Sequence, residues 1–205
     1  MTSRPALLPF IAAMTIVVVA SNVLVQYPFR HFGLQDVLTW GAFTYPVAFL
    51  VTDLTNRRFG PGAARRVVAA GFAAAVILSI WLATPRIAIA SGCAFLAAQL
   101  LDVAIFDRLR RQAWWRAPLI SSLVGSVLDT VIFFGLAFAA AFAVLDTGFG
   151  LLDGSLGMAV PFMGGEAPLW VSLALGDLGV KTLIALAMLA PYGALLSILK
   201  PVRPA

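Results

Sequence analysis

Histidine and cysteine are nearly absent from this chain, and charge is scarce. His31 is the single histidine and lies outside every apolar stretch, so a histidine-based metal site within one chain is not expected. Cys93 is the single cysteine, which excludes an internal disulfide; set in an apolar run, it reads as a small packing residue. Charged residues make up 11% of the chain and apolar ones 61%, against about 25% charged in soluble domains. No soluble fold of this length hides that much apolar surface, so the solvent of most of the chain is lipid. Cofactor signatures are also missing. There is no G-x-x-x-x-G-K-[ST], hence no P-loop nucleotide hydrolysis, no H-E-x-x-H, and no G-x-S-x-G with a histidine partner. Neither a cofactor nor a metal is expected, and the chain does not read as an enzyme.

Long apolar runs are what the chain has instead. A spanning helix needs about 20 mostly apolar residues, and six stretches qualify: 7–26, 37–55, 67–84, 87–106, 118–144 and 169–189. The runs are continuous rather than alternating with period two, which argues against a strand barrel. The first run continues through Val23, Leu24 and Val25 and is read as a retained span rather than a cleaved signal. The expectation is an all-α, polytopic membrane protein, a single domain over 1–205 with six transmembrane helices.

Basic residues orient it. Arg4, Arg57, Arg58, Arg65, Arg66, Arg108, Arg110, Arg111, Arg116, Lys200 and Arg203 fall on one side of the spans, and only Arg30 and Arg86 on the other. Eleven against two places both termini in the cytoplasm by the positive-inside rule, and an even number of spans requires both ends on one side. The formal charge of +5 is therefore topological rather than a nucleic-acid footprint, with a secondary attraction to anionic lipid. Trp40, Trp81, Trp114, Trp115 and Trp170 fall near span ends, as interfacial tryptophans do. The loop 145–168 is glycine-rich and acidic; it reads either as a solvated tether or as a lid over an outward-facing cavity.

Against this background the informative residues are Asp53, Asp102, Asp129, Asp177 and Lys181, all inside apolar stretches. An ionisable group at a helix centre costs roughly 2.5–3.5 kcal/mol on insertion scales and persists mainly facing a bundle interior or a wet cavity. Asn22 and Gln26, Gln99 and Asp102, Asp129 with Ser126 and Thr130, and Asp177 and Lys181 each share a helix face by spacing. Four polar stripes are expected to converge on a common interior. Asp177 and Lys181 form a self-neutralising pair or a gate, and Asp53 has Arg57 four residues on as a partner. Asp102 and Asp129 have no cation at helical spacing, so they read as ligand contacts or protonated carboxyls. Asn22 and Gln26 suit either interhelical bonding or the edge of a heterocycle.

Several segments taken in order resemble the VUT family, the queuosine precursor transporters. They are Ser21-Asn22 with Leu24-Val25-Gln26, Thr39-Trp40-Gly41-Ala42-Phe43, Thr52-Asp53-Leu54-Thr55 and Ala64-Arg65-Arg66. The second half continues with Arg86-Ile87-Ala88, Gln99, Leu101-Asp102-Val103, Phe106-Asp107-Arg108-Leu109-Arg110, Trp115, Ala117-Pro118, Asp129-Thr130, Phe133-Phe134, Asp177 and Lys181. The resemblance implies uptake of 7-deazaguanines (preQ0, preQ1) across the bacterial inner membrane, for salvage into tRNA queuosine. A deazaguanine presents two adjacent donors that suit a carboxylate and a carbonyl that suits an amide. Asp102 or Asp129 is expected on the donor edge, Asn22, Gln26 or Gln99 on the carbonyl, and Phe43 or Tyr45 against the ring; Asp53, Asp177 and Lys181 are expected in gating or proton coupling. The partners are the small-molecule cargo and the bilayer, with a homodimer or an energising subunit left open. Two alternatives stand beside this reading. One is a carrier of another vitamin-like metabolite. The other is a six-span aspartyl protease of the preflagellin-peptidase type, suggested by Ala174-Leu175-Gly176-Asp177, where the protease has glycine at the first of these positions.

Overall fold

The computed structural model describes residues 7–34, 38–138, 142, 144–148, 150, 159–162 and 165–199. Arg4, Lys200, Arg203, the expected start of the second span at Val37 and much of the loop 145–168 lie outside the described residues.

The described chain is almost wholly helical, as the apolar runs require. In order the helices are α1 (Leu8–Leu24), α2 (Gly41–Thr44), α3 (Val47–Phe59), α4 (Pro61–Leu82), α5 (Pro85–Leu109), α6 (Arg116–Phe138), α7 (Val144–Thr147), α8 (Leu169–Ala187) and α9 (Leu189–Leu196). Four stretches are long and apolar enough to cross a bilayer: α4, α5, α6 and the α8–α9 run Trp170–Leu196. The helix α1 has 17 residues.

Helix ends follow local chemistry. Gly60 adopts φ +87°, a left-handed conformation that ends α3, and Pro61 follows as the first residue of α4, the glycine-stop and proline-start pattern. Thr84 caps α5 through the Ile87 amide, again with proline at the first helical position. There are two departures from the expected spans. The second span is not one helix over 37–55: Thr39 instead pairs with Pro28 in an isolated bridge, and α2 and α3 are separated at Tyr45-Pro46, where proline lacks the amide that would continue the helical ladder. The fifth span is described as helix over Arg116–Phe138; residues 139–141 and 143 of the expected run lie outside the described residues. The apolar tail after residue 189 is itself helical, α9, and buries Tyr192. The acidic loop contains a short antiparallel hairpin, β1 (Ala159–Phe162) with β2 (Gly165–Pro168).

Exposure and polarity are inverted relative to a soluble domain. Ile80 and Trp81 on α4 are 72% and 83% exposed, while Gln99 and Asp102 on α5 are fully buried. Lipid-facing apolar surface costs nothing in hydrocarbon, so the interior is free to collect the polar groups. One apolar core joins α1, α3, α4 and α5 around Met14, Val18, Val67, Val68 and Phe95; a second, at the arginine-rich end, joins Leu54, Phe106, Ala117 and Tyr192. The helices approach closely at small residues. A Cβ at Gly125 of α6 would lie 2.8 Å from the Phe49 ring, and one at Gly41 would lie 2.8 Å from the Cα of Val25. The second contact is with backbone and cannot swing aside, so it holds α2 against the end of α1.

Overpacking of this kind costs about 1–3 kcal/mol. Gly41→Ala is therefore expected to lower the thermal unfolding midpoint of the detergent-purified protein. Gly62→Ala, at a position with nothing within 4 Å, is expected not to lower it.

Candidate functional site: an open cavity floored by a lysine and two aspartates

A cavity of about 460 Å³ lies among α1, α2, α4, α5, α6 and α8. Its rim includes Gln26, Thr39, Leu82, Thr84 and Phe138, at the ends of helices away from the arginines, so it opens at the arginine-poor end. Asn22 of α1, Ser91 of α5 and the aromatic face of Phe133 and Phe134 on α6 line its walls. Its floor is Tyr45, Asp129, Asp177 and Lys181. The volume is within the range of small-molecule pockets, about 300–1,000 Å³.

The floor is a bonded cluster drawn from three segments. Lys181 of α8 is buried and its Nζ donates to Asp129 Oδ2 of α6 at 2.6 Å. Lys181 also pairs with Asp177 one turn away on its own helix. Tyr45, at the α2–α3 break, donates to Asp129 Oδ1 at 2.8 Å, and its ring lies 5.1 Å from Lys181 Nζ. Thr130 donates to Asp177 Oδ2 at 3.2 Å. Two carboxylates thus share one ammonium, which leaves the cluster with a formal charge of −1. Both oxygens of Asp129 are engaged, whereas the Asp177 side chain keeps 17% of its exposure and lines the cavity. Asp177 is therefore the carboxylate most available to a ligand. The break at Pro46 explains how Tyr45 arrives: a straight helix through 37–55 would not free this turn to lean its ring over α6 and α8.

A second polar cluster lies nearer the arginine-rich end. Asp53 of α3 accepts from Ser121 and Ser122 of α6 at 3.4 and 3.5 Å, and the carboxyl of Asp102 on α5 lies against it. Asp53 and Asp102 are both enclosed. One turn earlier, Thr52 donates to Gln99 Oε1 at 2.6 Å. Beneath this cluster the bundle is closed. Arg57 Nε donates to Tyr192 Oη of α9 at 2.9 Å, and the guanidinium lies 5.3 Å from the Phe106 ring.

The four polar stripes therefore meet in two interiors, not one. Asn22, Gln26, Tyr45, Asp129, Asp177 and Lys181 come together around the cavity. Asn22 and Gln26 also bond locally, each donating to a carbonyl four residues back. Gln99 and Asp102 lie outside the cavity because they face α3 rather than its opening. Phe43 lies outside it as well, packed on Phe29 at 5.1 Å between ring centroids in an aromatic group with Trp40. Asp53 does not pair with Arg57 as spacing suggests, because the guanidinium turns to Tyr192 and the Arg110 carbonyl. Asp129, which has no cation on its own helix, finds Lys181 across the bundle. The walls contributed by Ser79 and Ser91 had no sequence signal, and Phe133 entered only with Phe134 as a segment of the family resemblance. Asp177 is tied to a lysine and a threonine, not to a second carboxyl with which it could share a proton, so an aspartyl-protease dyad is not formed there. Among the described residues no group of three or more His, Cys, Asp or Glu side chains could hold a metal.

Comparison with known proteins agrees with this architecture. The family model described as "Putative vitamin uptake transporter" matches residues 39–84 and 79–195. The chain is 36% identical to the "Queuosine precursor transporter" of Escherichia coli (strain K12), with 90% of this chain and 83% of the relative covered. It is 32% identical to the "Probable queuosine precursor transporter" of Haemophilus influenzae, with 89% of this chain and 83% of that relative covered. It is 29% identical to the "Probable queuosine precursor transporter" of Bacillus subtilis, over 58% of this chain and 64% of the relative. No solved structure matches the chain.

Removing one partner of a buried ion pair costs about 3–5 kcal/mol. Lys181→Met leaves two buried carboxylates facing each other and should lower the unfolding midpoint of the detergent-purified protein more than any other single change in the cluster. Asp177→Asn leaves the Lys181–Asp129 pair matched and should lower it much less. Equal effects would show that the lysine is not the common partner.

Proposed function

We propose, from the premise that this chain belongs to the family of "Putative vitamin uptake transporter" proteins, that it imports queuosine precursors across a bacterial inner membrane. Its cargo is then a 7-deazaguanine, preQ0 or preQ1, and it is a transporter rather than an enzyme. The observation that carries this reading is the 460 Å³ cavity, with an aromatic wall and a floor of carboxylates held in place by Lys181.

The physical fit is specific. A deazaguanine ring is flat and has a donor edge formed by a ring N–H and an exocyclic amine. Asp177, with Asp129 behind it, receives that edge; Asn22 and Gln26 reach the carbonyl edge; Phe133 and Phe134 flank the ring. A base lacking the donors would leave the carboxylates unpaired and be rejected more strongly than by apolar misfit. In this reading Gln99 and Asp102 leave the cargo site. Phe43 leaves it too, packed in the aromatic group with Phe29 and Trp40.

The topology follows from the same arrangement. The helix α1 and the α2–α3 pair each make a crossing beside the four long helical stretches, giving one domain of six spans with both termini in the cytoplasm. The Arg57, Arg65, Arg66, Arg108 and Arg111 side chains all gather at one end of the bundle, which the positive-inside rule assigns to the cytoplasm. The cavity then opens outward and the Arg57–Tyr192 contact closes the cytoplasmic side. Import requires the two closures to alternate around a central site.

Cells unable to make preQ0 but expressing this chain should regain queuosine in their tRNA when fed low concentrations of preQ0 or preQ1. Absence of rescue with the protein confirmed in the membrane would refute the cargo. Asp177→Asn should cut labelled preQ0 uptake by about tenfold or more, since losing a partner for a buried donor costs about 1–3 kcal/mol. Phe43→Ala should leave the KM for uptake unchanged, and a raised KM would return that ring to the site.

A further inference from the structure

The Asp53–Asp102 pair lies outside the cargo cavity, and Asp102 is poorly accommodated where it sits. Asp102 is fully enclosed, and neither of its carboxyl oxygens receives a hydrogen bond from any described residue. The carboxyl of Asp53 and the hydroxyl of Ser121 lie close to it. That hydroxyl has one proton to give, and it already has Asp53 Oδ1 and the Pro118 carbonyl as acceptors. Two ionised carboxylates are acceptors only and cannot bond each other; two like charges packed together in a dry interior cannot both persist. A single proton between them removes both difficulties. It turns the contact into a hydrogen bond and lowers the formal charge of the pair to −1.

Among the described residues the surroundings supply no other positive charge. Facing the pair are Ser121 and Ser122 of α6, Gln99 one turn before Asp102 on α5, Tyr192 of α9, and Arg57 one turn beyond Asp53 on α3. Arg57 is committed to Tyr192 and the Arg110 carbonyl. The helix α4 also packs on α5, but its Arg65 and Arg66 are exposed. Lys181 is occupied at the other cluster.

The pair is also placed to communicate. Asp129, at the cavity floor, Ser126 and Ser122 follow one another at three- and four-residue intervals along one face of α6. The Ser126 hydroxyl is enclosed without a partner. Asp53, Ser122, Ser126 and Tyr192 border a second, water-sized cavity of about 10 Å³. It touches both Asp53 of the carboxyl pair and Tyr192 of the closure.

We propose that Asp53 and Asp102 form a proton site, separate from the cargo cavity, that couples import to the proton gradient. With the cavity open and the arginine-rich end shut, one proton is shared between the two carboxyls. When Tyr192 leaves Arg57, water reaches Asp53 through the small cavity and the proton passes to it on the cytoplasmic side. Both carboxylates are then ionised: the guanidinium, now free and one helical turn from Asp53, neutralises one of them, and the water admitted through the small cavity solvates the other. The cycle resets when the cavity reopens and a proton returns with the next cargo. This inference rests on the transport reading and adds its driving force.

The test uses the full chain in proteoliposomes with radiolabelled preQ0, a neutral cargo whose own charge does not report on pH, and an internal pH-sensitive dye. With the outside acidic by one unit, wild-type protein should concentrate preQ0 up to about tenfold, the limit for one proton per neutral molecule. Adding preQ0 outside should acidify the lumen, and a protonophore should abolish accumulation. Asp102→Asn should bind preQ0 in detergent with unchanged affinity but lose both gradient-driven accumulation and the dye signal. Should that variant fail to fold, infrared spectra of the wild type still decide: a carboxylic-acid C=O band should be present and should shift in Asp53→Asn. Absence of that band, or accumulation driven by a sodium gradient and indifferent to pH, overturns the proton site while leaving the transporter reading intact. A wild type that neither binds nor exchanges preQ0 overturns the transporter reading itself.

Discussion

Charge inside a lipid-embedded bundle has to be answered by charge, and the sharing of Lys181 between Asp129 and Asp177 is where this constraint organises the molecule. The pair across the bundle joins α6 to α8, and the pair along α8 fixes the rotamer of the lysine. Tyr45 can lean onto Asp129 only because Pro46 interrupts the second span. The cavity is the space this cluster leaves on its accessible side. A hydrophobic substitution would pack the floor as well and dispense with the desolvation penalty. Keeping a floor of net charge −1 makes sense for a cargo that brings hydrogen-bond donors to it.

The two polar interiors differ in character. The one at the arginine-poor end is wide and bordered by aromatic rings. The other is dry and bounded by serine hydroxyls, with a closure of Arg57, Tyr192 and Phe106 below it. Under the proposed function, cargo selectivity and energy coupling would act on different residues, while α6 belongs to both clusters, carrying Asp129 and Thr130 toward the cavity and Ser121 and Ser122 toward Asp53. A change at either cluster that rotates or shifts α6 is felt at the other, which is what coupling requires.

The bilayer setting was legible in the sequence because it follows from composition and run length alone. The Asp177–Lys181 contact was legible because i,i+4 spacing on a helix leaves little choice. The partnership of Lys181 with Asp129 was not, since nothing local to α6 announces a cation on α8. Its isolation at helical spacing was the only clue, and it pointed to a ligand rather than to a cross-bundle partner. The division into two interiors was readable in principle. Asp53 lies six residues before the end of α3 and Asp129 lies thirteen after the start of α6, both counted from the arginine-rich end. At about 1.5 Å per residue those counts give roughly 9 and 20 Å of depth, so one pocket could not hold both. The apolar tail beyond residue 189 gave no helix signal of its own, and its Pro191 falls in the first turn of α9, where proline is tolerated. The group of Phe43 with Phe29 and Trp40 depends on a loop crossing that spacing does not encode.

Water accessibility from each side, measured on cysteine variants in a Cys93→Ser background, tests the central claim of an outward cavity floored by the lysine and its two aspartates. A membrane-impermeant thiol reagent added to intact spheroplasts should label Asn22→Cys, and preQ0 should protect it. Under the same conditions Ser122→Cys, beside Asp53, should stay unlabelled. Labelling of Ser122→Cys from outside, or an Asn22→Cys indifferent to both reagent and preQ0, would contradict the account.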